Sequence, residues 1–281
     1  MHRCPRSIGL ALVVCFAGSA VAADKPDEAK RGDGAKKTKI VLIGHAPDHP
    51  HGTHAYLPDS RLLAKCLEQT PGVRAVVSDG WPKDPTVLED ARAIVFHCRM
   101  GGDLLFHKDH LDQAKKLMKK GVGLTAIHWA TGAGKGEVGE LWQRTLGAWF
   151  NTGFSKVAVE TAKLRRGDKK HPVCAGWEDY DLRDEYYFKL KFMPKAKPVM
   201  KAKLQGNDYP VGWVYERPET KGGRSFGFVC GHFHELFGIE AFRRSIVNGI
   251  LWTAHVEVPE TGAPCKITKE DMKLPPPPKK K

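Results

Sequence analysis

Apolar positions in the first half of the chain come in short runs broken by Gly, Pro and charge. Lys39-Ile40-Val41-Leu42-Ile43-Gly44 is continuous rather than alternating, which suits a strand buried on both faces. Asp59 to Gln69 sets Leu62, Leu63, Cys66 and Leu67 at helical spacing and stops before Pro71-Gly72. Val73 to Ser78 and Ala93 to Cys98 predict a second and a third strand. His107 to Lys120 predicts an amphipathic helix, with Leu111, Ala114, Leu117 and Met118 on one side and Gly121 at its end. Val122 to His128 predicts a fourth strand and Val138 to Trp149 another helix. Strands alternating with helices imply parallel pairing through right-handed crossovers.

The pattern then changes. Phe154–Glu160, Tyr186–Phe192, Val199–Leu204, Val211–Glu216 and Ser225–Cys230 predict strands joined by turns, which extend the sheet or form an antiparallel flap over its edge. A closing helix is expected over Glu240 to Ala254, with Phe242, Ile246, Ile250 and Leu251 inward. There is no internal repeat.

The ends read differently. Arg3 and Arg6, an apolar run from Ile8 to Gly18 and the small residues Ser19 to Ala23 describe a secretory signal over residues 1–23, cleaved near Ala22/Ala23. The run is shorter than the roughly 20 residues a spanning helix needs, so no stable membrane insertion is expected and the mature protein is read as periplasmic or secreted. Residues 24–37 have linker composition, residues 38–258 suit one α/β domain, and residues 259–281 form a Pro/Lys-rich tail expected to stay extended and solvated.

The net charge of +13 raises the question of nucleic acid. Part of that excess lies in the leader and the tails, and no helix-length basic stripe with interleaved aromatics exists, so nucleic acid is not the expected partner. Five cysteines remain after the leader: Cys66, Cys98, Cys174, Cys230 and Cys265. An odd number leaves one unpaired in a monomer, and the lack of a CxxC spacing argues against a structural zinc knuckle.

The chemistry gathers at strand ends. Gly44-His45, Phe96-His97-Cys98, Ile127-His128-Trp129 and Gly231-His232-Phe233-His234 each follow an apolar run. Ligands of open α/β sheets bind beyond the carboxyl ends of the strands, so these histidines should converge although they are far apart in sequence. The first loop adds His49, His51 and His54; His54, pinned by Tyr56 and Leu57, is its leading candidate. His128 precedes a Gly-rich turn, the place where folds of this kind can hold a nucleophile. His232 follows Gly231, where backbone can approach a ligand closely, and is favoured over His234. Asp184-Glu185-Tyr186-Tyr187-Phe188 adds a carboxylate pair, of which only one can face the histidine edge if the segment is extended. Burial beside aromatic rings should raise that carboxyl's pKa and suit it to acid–base work. Each feature also has a plain structural reading: a connecting loop, a core histidine, a strand-end ion pair.

Taken in order, the Gly-His loop, Gly121-Val122-Gly123-Leu124-Thr125-Ala126-Ile127-His128, His171-Pro172-Val173, Asp184-Glu185-Tyr186-Tyr187-Phe188, Gly231-His232-Phe233-His234 and the terminal Phe242-Arg243-Arg244 to Ile250-Leu251-Trp252 resemble the trehalose-utilisation (ThuA-like) family. The resemblance spans about Lys39 to Val258. It implies a class I glutamine-amidotransferase-like fold: a flavodoxin-like parallel sheet flanked by helices, with extra antiparallel strands in the second half. It also implies a role in carbohydrate metabolism, on trehalose-like disaccharides or their keto-sugar derivatives, and a divalent metal, most simply Zn²⁺. His54, His128 and His232 are the expected metal ligands, Glu185 and His128 the expected catalytic pair, and His45, His97 and His234 further pocket candidates. Where glutamine amidotransferases of this fold place a Cys nucleophile, this chain has His128, which disfavours glutamine hydrolysis. The first loop departs from the family pattern by the extra His49 and His51. A metal-assisted sugar-transforming enzyme is expected; the alternative is a non-catalytic sugar- or metal-binding protein using the same pocket.

Overall fold

The computed structural model describes residues 1–2 and 36–276; nearly all of the expected leader, most of the linker and residues 277–281 lie outside the described residues. The described residues build eleven strands and five α-helices. The strands are β1 (Thr38–Gly44), β2 (Val73–Asp79), β3 (Ala91–Phe96), β4 (Gly123–Ile127), β5 (Ala148–Trp149), β6 (Lys156–Arg166), β7 (Tyr180–Phe188), β8 (Lys191–Phe192), β9 (Lys197–Leu204), β10 (Asn207–Glu216) and β11 (Arg224–Phe228). The helices are α1 (Tyr56–Leu67), α2 (Gly101–Leu105), α3 (Leu111–Lys119), α4 (Glu137–Leu146) and α5 (Glu240–Thr253).

Nine strands form one sheet in the order β2-β1-β3-β4-β11-β10-β9-β6-β7, while β5 and β8 pair separately. The first five are mutually parallel and follow the flavodoxin-like order. From β11 outward each pairing is antiparallel. Ile40 to Ile43 of β1, Ala93 to Phe96 of β3 and Ala126-Ile127 of β4 are almost fully buried, as expected of parallel strands covered on both faces. Beyond their carboxyl ends lie His45, His97, His128 and, after β11, His232.

Several boundaries differ from the sequence expectation, each for a local reason. Helix α1 begins at Tyr56, with Pro58 in its first turn, where a missing N–H costs nothing. Helix α4 stops at Leu146 rather than Trp149, because Gly147 takes φ 87° and a Cβ there would lie 2.5 Å from the Tyr215 side chain; Ala148-Trp149 then pair with β8. Strand β7 starts at Tyr180, so Asp184 and Glu185 lie within a strand rather than at its end. The short α2 gave no sequence signal.

The C-terminal segment also departs from expectation. Ala263 and Cys265 are buried in the common core, Arg243 Nε donates to the Cys265 carbonyl, and Lys65 Nζ sits 2.6 Å from Asp271. The packed domain therefore runs past Val258 to at least Met272, and the solvated part of the tail begins later. All five cysteines of the domain are free and buried. Among the described residues no helix is long and apolar enough to cross a membrane.

Candidate metal centre

The His-rich loop after β1 is fastened to the segment after β11. His54 N–H donates to the His232 carbonyl (2.9 Å) and His234 N–H to that of Gly52 (2.9 Å). His54 itself adopts φ 46°, in the left-handed region. Its Nδ1 lies 2.8 Å from Asp48 Oδ1 and 2.7 Å from the Tyr56 hydroxyl. A carboxylate can only accept, so Nδ1 carries the proton outward and Nε2 points its lone pair inward.

His128 follows β4 directly and also has positive φ, 54°, the strained strand-to-turn geometry anticipated for a reactive residue. Its Nδ1 donates to the Val229 carbonyl at 2.8 Å, which leaves Nε2 as the inward acceptor. His232 is placed by Gly231, whose φ of 120° is poorly accessible to residues with a Cβ. The buried Asp184 carboxylate holds this turn, accepting from the N–H groups of Gly231 (2.6 Å), His232 (3.2 Å) and Glu185 (2.8 Å). Burial lifts the Asp184 pKa to about 6 against the pull of His128 and those donors.

These constraints bring three imidazole nitrogens together. His54 Nε2 and His128 Nε2 are 3.1 Å apart, His54 Nε2 and His232 Nδ1 3.0 Å, and His128 Nε2 and His232 Nδ1 3.3 Å. Glu185 enters from β7, its Oε2 3.5 Å from His128 Nε2 and 3.4 Å from His232 Nδ1. The Tyr187 hydroxyl, two residues along the same strand face, lies 3.0 Å from His128 Nε2. His54 and His128 are essentially inaccessible, whereas the Glu185 side chain is 22% exposed, so the cluster opens on the Glu185 side.

Electrostatics follow from this crowding. Burial, then the charge of His128, brings the His54 pKa down to about 3 despite Asp48. Burial alone would raise Glu185, as the sequence suggested, but the neighbouring His128 and His232 imidazoles outweigh it and hold the carboxyl well below its usual range. The expectation of a raised pKa is thereby corrected: the aromatic neighbours matter less than the two imidazoles. Burial and Glu185 push the Tyr187 hydroxyl well above its ordinary value, so it stays protonated.

The donor set fits a divalent cation. Ligands on a tetrahedral ion with metal–nitrogen bonds of roughly 2.0–2.1 Å are separated by about 3.3 Å; five of the six donor pairs lie 3.0 to 3.5 Å apart, and the sixth, His54 with Glu185, lies within 4.8 Å. His54, His128, His232 and Glu185 could thus hold one metal ion. Asp48, by fixing the His54 ring, stands as the outer carboxylate that such ligands commonly use; its bonds to His49 and His54 lower its own pKa, overcoming the effect of burial.

The remaining candidates lie elsewhere. His45 links two loops, its Nδ1 bonded to the Ala46 carbonyl and its Nε2 accepting the Arg99 N–H. His97 is buried against Tyr56 and Phe237, and neither of its ring nitrogens has a hydrogen-bond partner among the described residues. His234 bridges Asp59 and the Met272 carbonyl as a strut beneath the C-terminal segment. None of the three joins the cluster. Cys98 and Cys230 are also apart from it, and burial pushes both thiols far up, which makes them poor nucleophiles. Sequence reasoning missed Asp48, the role of Asp184 in holding the Gly231 turn, and Tyr187 as a donor; the period-2 spacing of Tyr187 from Glu185 was the available signal.

A family profile described as trehalose utilisation (ThuA) matches residues 48–253. A solved structure described as a ThuA-like protein from Parabacteroides merdae is 15% identical, with a TM-score of 0.59 over 85% of this chain and 100% of that one. A ThuA-like protein from Bacteroides uniformis, also 15% identical, aligns over 80% of this chain and 95% of that one with a TM-score of 0.58. A glutamine amidotransferase from Thermotoga maritima is more distant, 11% identical with a TM-score of 0.42 over 69% of this chain and 75% of that one. No curated protein matches the chain.

Proposed function

The chain belongs to the trehalose-utilisation family, and from that premise we propose that it is an exported, metal-dependent enzyme of carbohydrate metabolism acting on a trehalose-like disaccharide or its keto-sugar derivative. One observation carries the reading: three imidazole nitrogens and a carboxylate oxygen meet in one space at the sheet's carboxyl edge, with His54 and His128 pinned from outside so that their lone pairs turn inward. His54, His128 and His232 would hold the ion. Zn²⁺ suits this nitrogen-rich set. A bound ion would polarise a sugar carbonyl or hydroxyl as a Lewis acid. His128 then has both ring nitrogens engaged, so proton transfer falls to Glu185, on the open side of the cluster. The protonated Tyr187 hydroxyl is placed to donate a hydrogen bond to the same space. The partner is a small-molecule carbohydrate rather than nucleic acid, and the leader-like residues 1–23 support export.

Four donors around one space also suffice to close a tetrahedral shell, which favours a second reading, non-catalytic binding of metal or sugar. Metal analysis of the purified protein, followed by a turnover screen on disaccharides and 3-keto-disaccharides, separates them. About one equivalent of metal and metal-dependent conversion is the expected result. Metal without conversion of any sugar would leave binding alone, and metal-free protein with full activity would overturn the proposal.

A further inference from the structure

Four arginines among the described residues lie over aromatic rings: Arg99 over Trp129, Arg166 over Trp177, Arg183 over Phe233 and Arg224 over Trp252. Two of them are ordinary structural pairs, because each also has a carboxylate at hand. Arg166 Nε lies 3.2 Å from Asp179, and Arg224 Nε 3.9 Å from Glu216. Arg99 and Arg183 differ. Among the described residues neither guanidinium has a carboxylate within 4.0 Å or donates a side-chain hydrogen bond, and both residues are exposed.

Those two are also the ones beside the cluster. The Arg99 guanidinium stands 5.0 Å from the Trp129 ring, which is 5.4 Å from the His54 ring. The Arg183 guanidinium stands 5.3 Å from the Phe233 ring, which is 4.6 Å from the His232 ring. Arg183 shares one face of β7 with Glu185 and Tyr187. Asp181, next on that face, is opposed by Lys163 across the strand pair and lies beyond ion-pair distance of Arg183. Arg99 lines a cleft of about 580 Å³ with Trp129, Phe150, Asn151 and Asp103, within the size range of small-molecule sites. The one carboxylate in that cleft is tied to backbone, Asp103 Oδ1 accepting the Gly134 N–H at 2.7 Å.

A guanidinium stacked on a ring is pre-oriented, with its N–H edge left free to fork onto a planar or tetrahedral anion. Two such groups without counter-ions among the described residues, beside a cluster suited to a cation, make a mouth that selects for negative charge. Building on the carbohydrate reading above, we propose that the ligand is an acidic sugar, a glycoside bearing a carboxylate, sulfate or phosphate, with Arg183, beside the His232 end of the cluster, and Arg99, beside the His54 end, as its anchoring points.

The test is calorimetric binding to the full-length protein at low and high salt, using cellobiose, cellobiouronic acid, and the sulfate and phosphate esters of cellobiose. The acidic probes should bind roughly tenfold tighter or better than cellobiose, as expected for charge-assisted hydrogen bonds, with the advantage shrinking at high salt. The best of the three probes identifies the acid. Arg183→Gln and Arg99→Gln should each lose about tenfold for that probe, and Arg183→Lys should recover only part, since it keeps charge but not the fork. Should a Gln variant fail to fold, the Lys variants and the salt titration of the native protein decide alone. Equal affinity for neutral and acidic sugars, no binding of any acidic probe, or a preference that survives in the double variant would overturn the proposal. Metal content measured in parallel keeps the two readings distinct: metal-free protein that still shows an arginine-dependent acid preference would sink the metal reading and leave this one standing.

Discussion

Glu185 is the most accessible member of the cluster, and its two possible tasks have different signatures. Replacement by Gln keeps the shape but removes the charge and the capacity to carry a proton. If Glu185 transfers protons, Glu185→Gln should cost on the order of 10²- to 10⁴-fold in turnover with metal content near that of the native protein. If it ligates, metal affinity should fall with activity. Native values of both would remove Glu185 from the site. Asp48 invites a companion test, because its carboxylate meets the cluster only through His54. Asp48→Asn should weaken metal binding about 10- to 100-fold, read by competition with a chelator; unchanged affinity would reduce Asp48 to a loop residue.

Among the elements, the turn after β11 is the most constrained. Gly231 takes φ 120°, and a Cβ there would lie 3.2 Å from Ile127 Cγ2. Gly231→Ala should destabilise the metal-free protein by about 1–3 kcal/mol, the usual cost of forcing such backbone, and should move His232 out of register with its partners. Chemical denaturation and metal titration would check both effects, and native behaviour in both would show that the turn tolerates a side chain. The parallel strands carrying His45, His97, His128 and His232 were legible because strands covered on both faces read as unbroken apolar runs. Strand β7 was only half legible. Asp181, Arg183 and Asp184 interrupt its apolar pattern, so its true start at Tyr180 left no hydrophobic signature. The place of His97 was hidden: it follows its strand as closely as His128 does, yet faces Tyr56 and Phe237, an outcome set by tertiary packing.

On the scale of the whole molecule, the C-terminal segment behaves as a strap across α1. Its best-defined exposed contact is Asp271 with Lys65 and the Thr268 N–H, which together bring the Asp271 pKa from 3.8 to about 2. A carboxyl depressed in the folded state stabilises it above the unfolded pKa, and that contribution fades as pH falls from about 4 towards 2. The strap should therefore loosen in that window, and Asp271→Asn should remove the pH dependence, as seen by comparing hydrogen exchange of residues 263–272 in the two proteins. Identical profiles would show that the buried Ala263 and Cys265 hold the strap unaided. The segment itself escaped sequence reading because its prolines and lysines resemble a free tail, while its fully buried apolar anchors, Ala263 and Cys265, are small and isolated in sequence.

The four cluster residues come from four places in the chain: the loop after β1, the turn after β4, the middle of β7 and the turn after β11. No two of His54, His128, Glu185 and His232 are near enough in sequence to chelate an ion before the sheet has closed around them. A polypeptide exported unfolded would thus travel without cargo and choose its ion on arrival. The inventory of metals in the compartment where folding ends, more than the intrinsic ranking of the ligands, would then decide which element the mature protein carries.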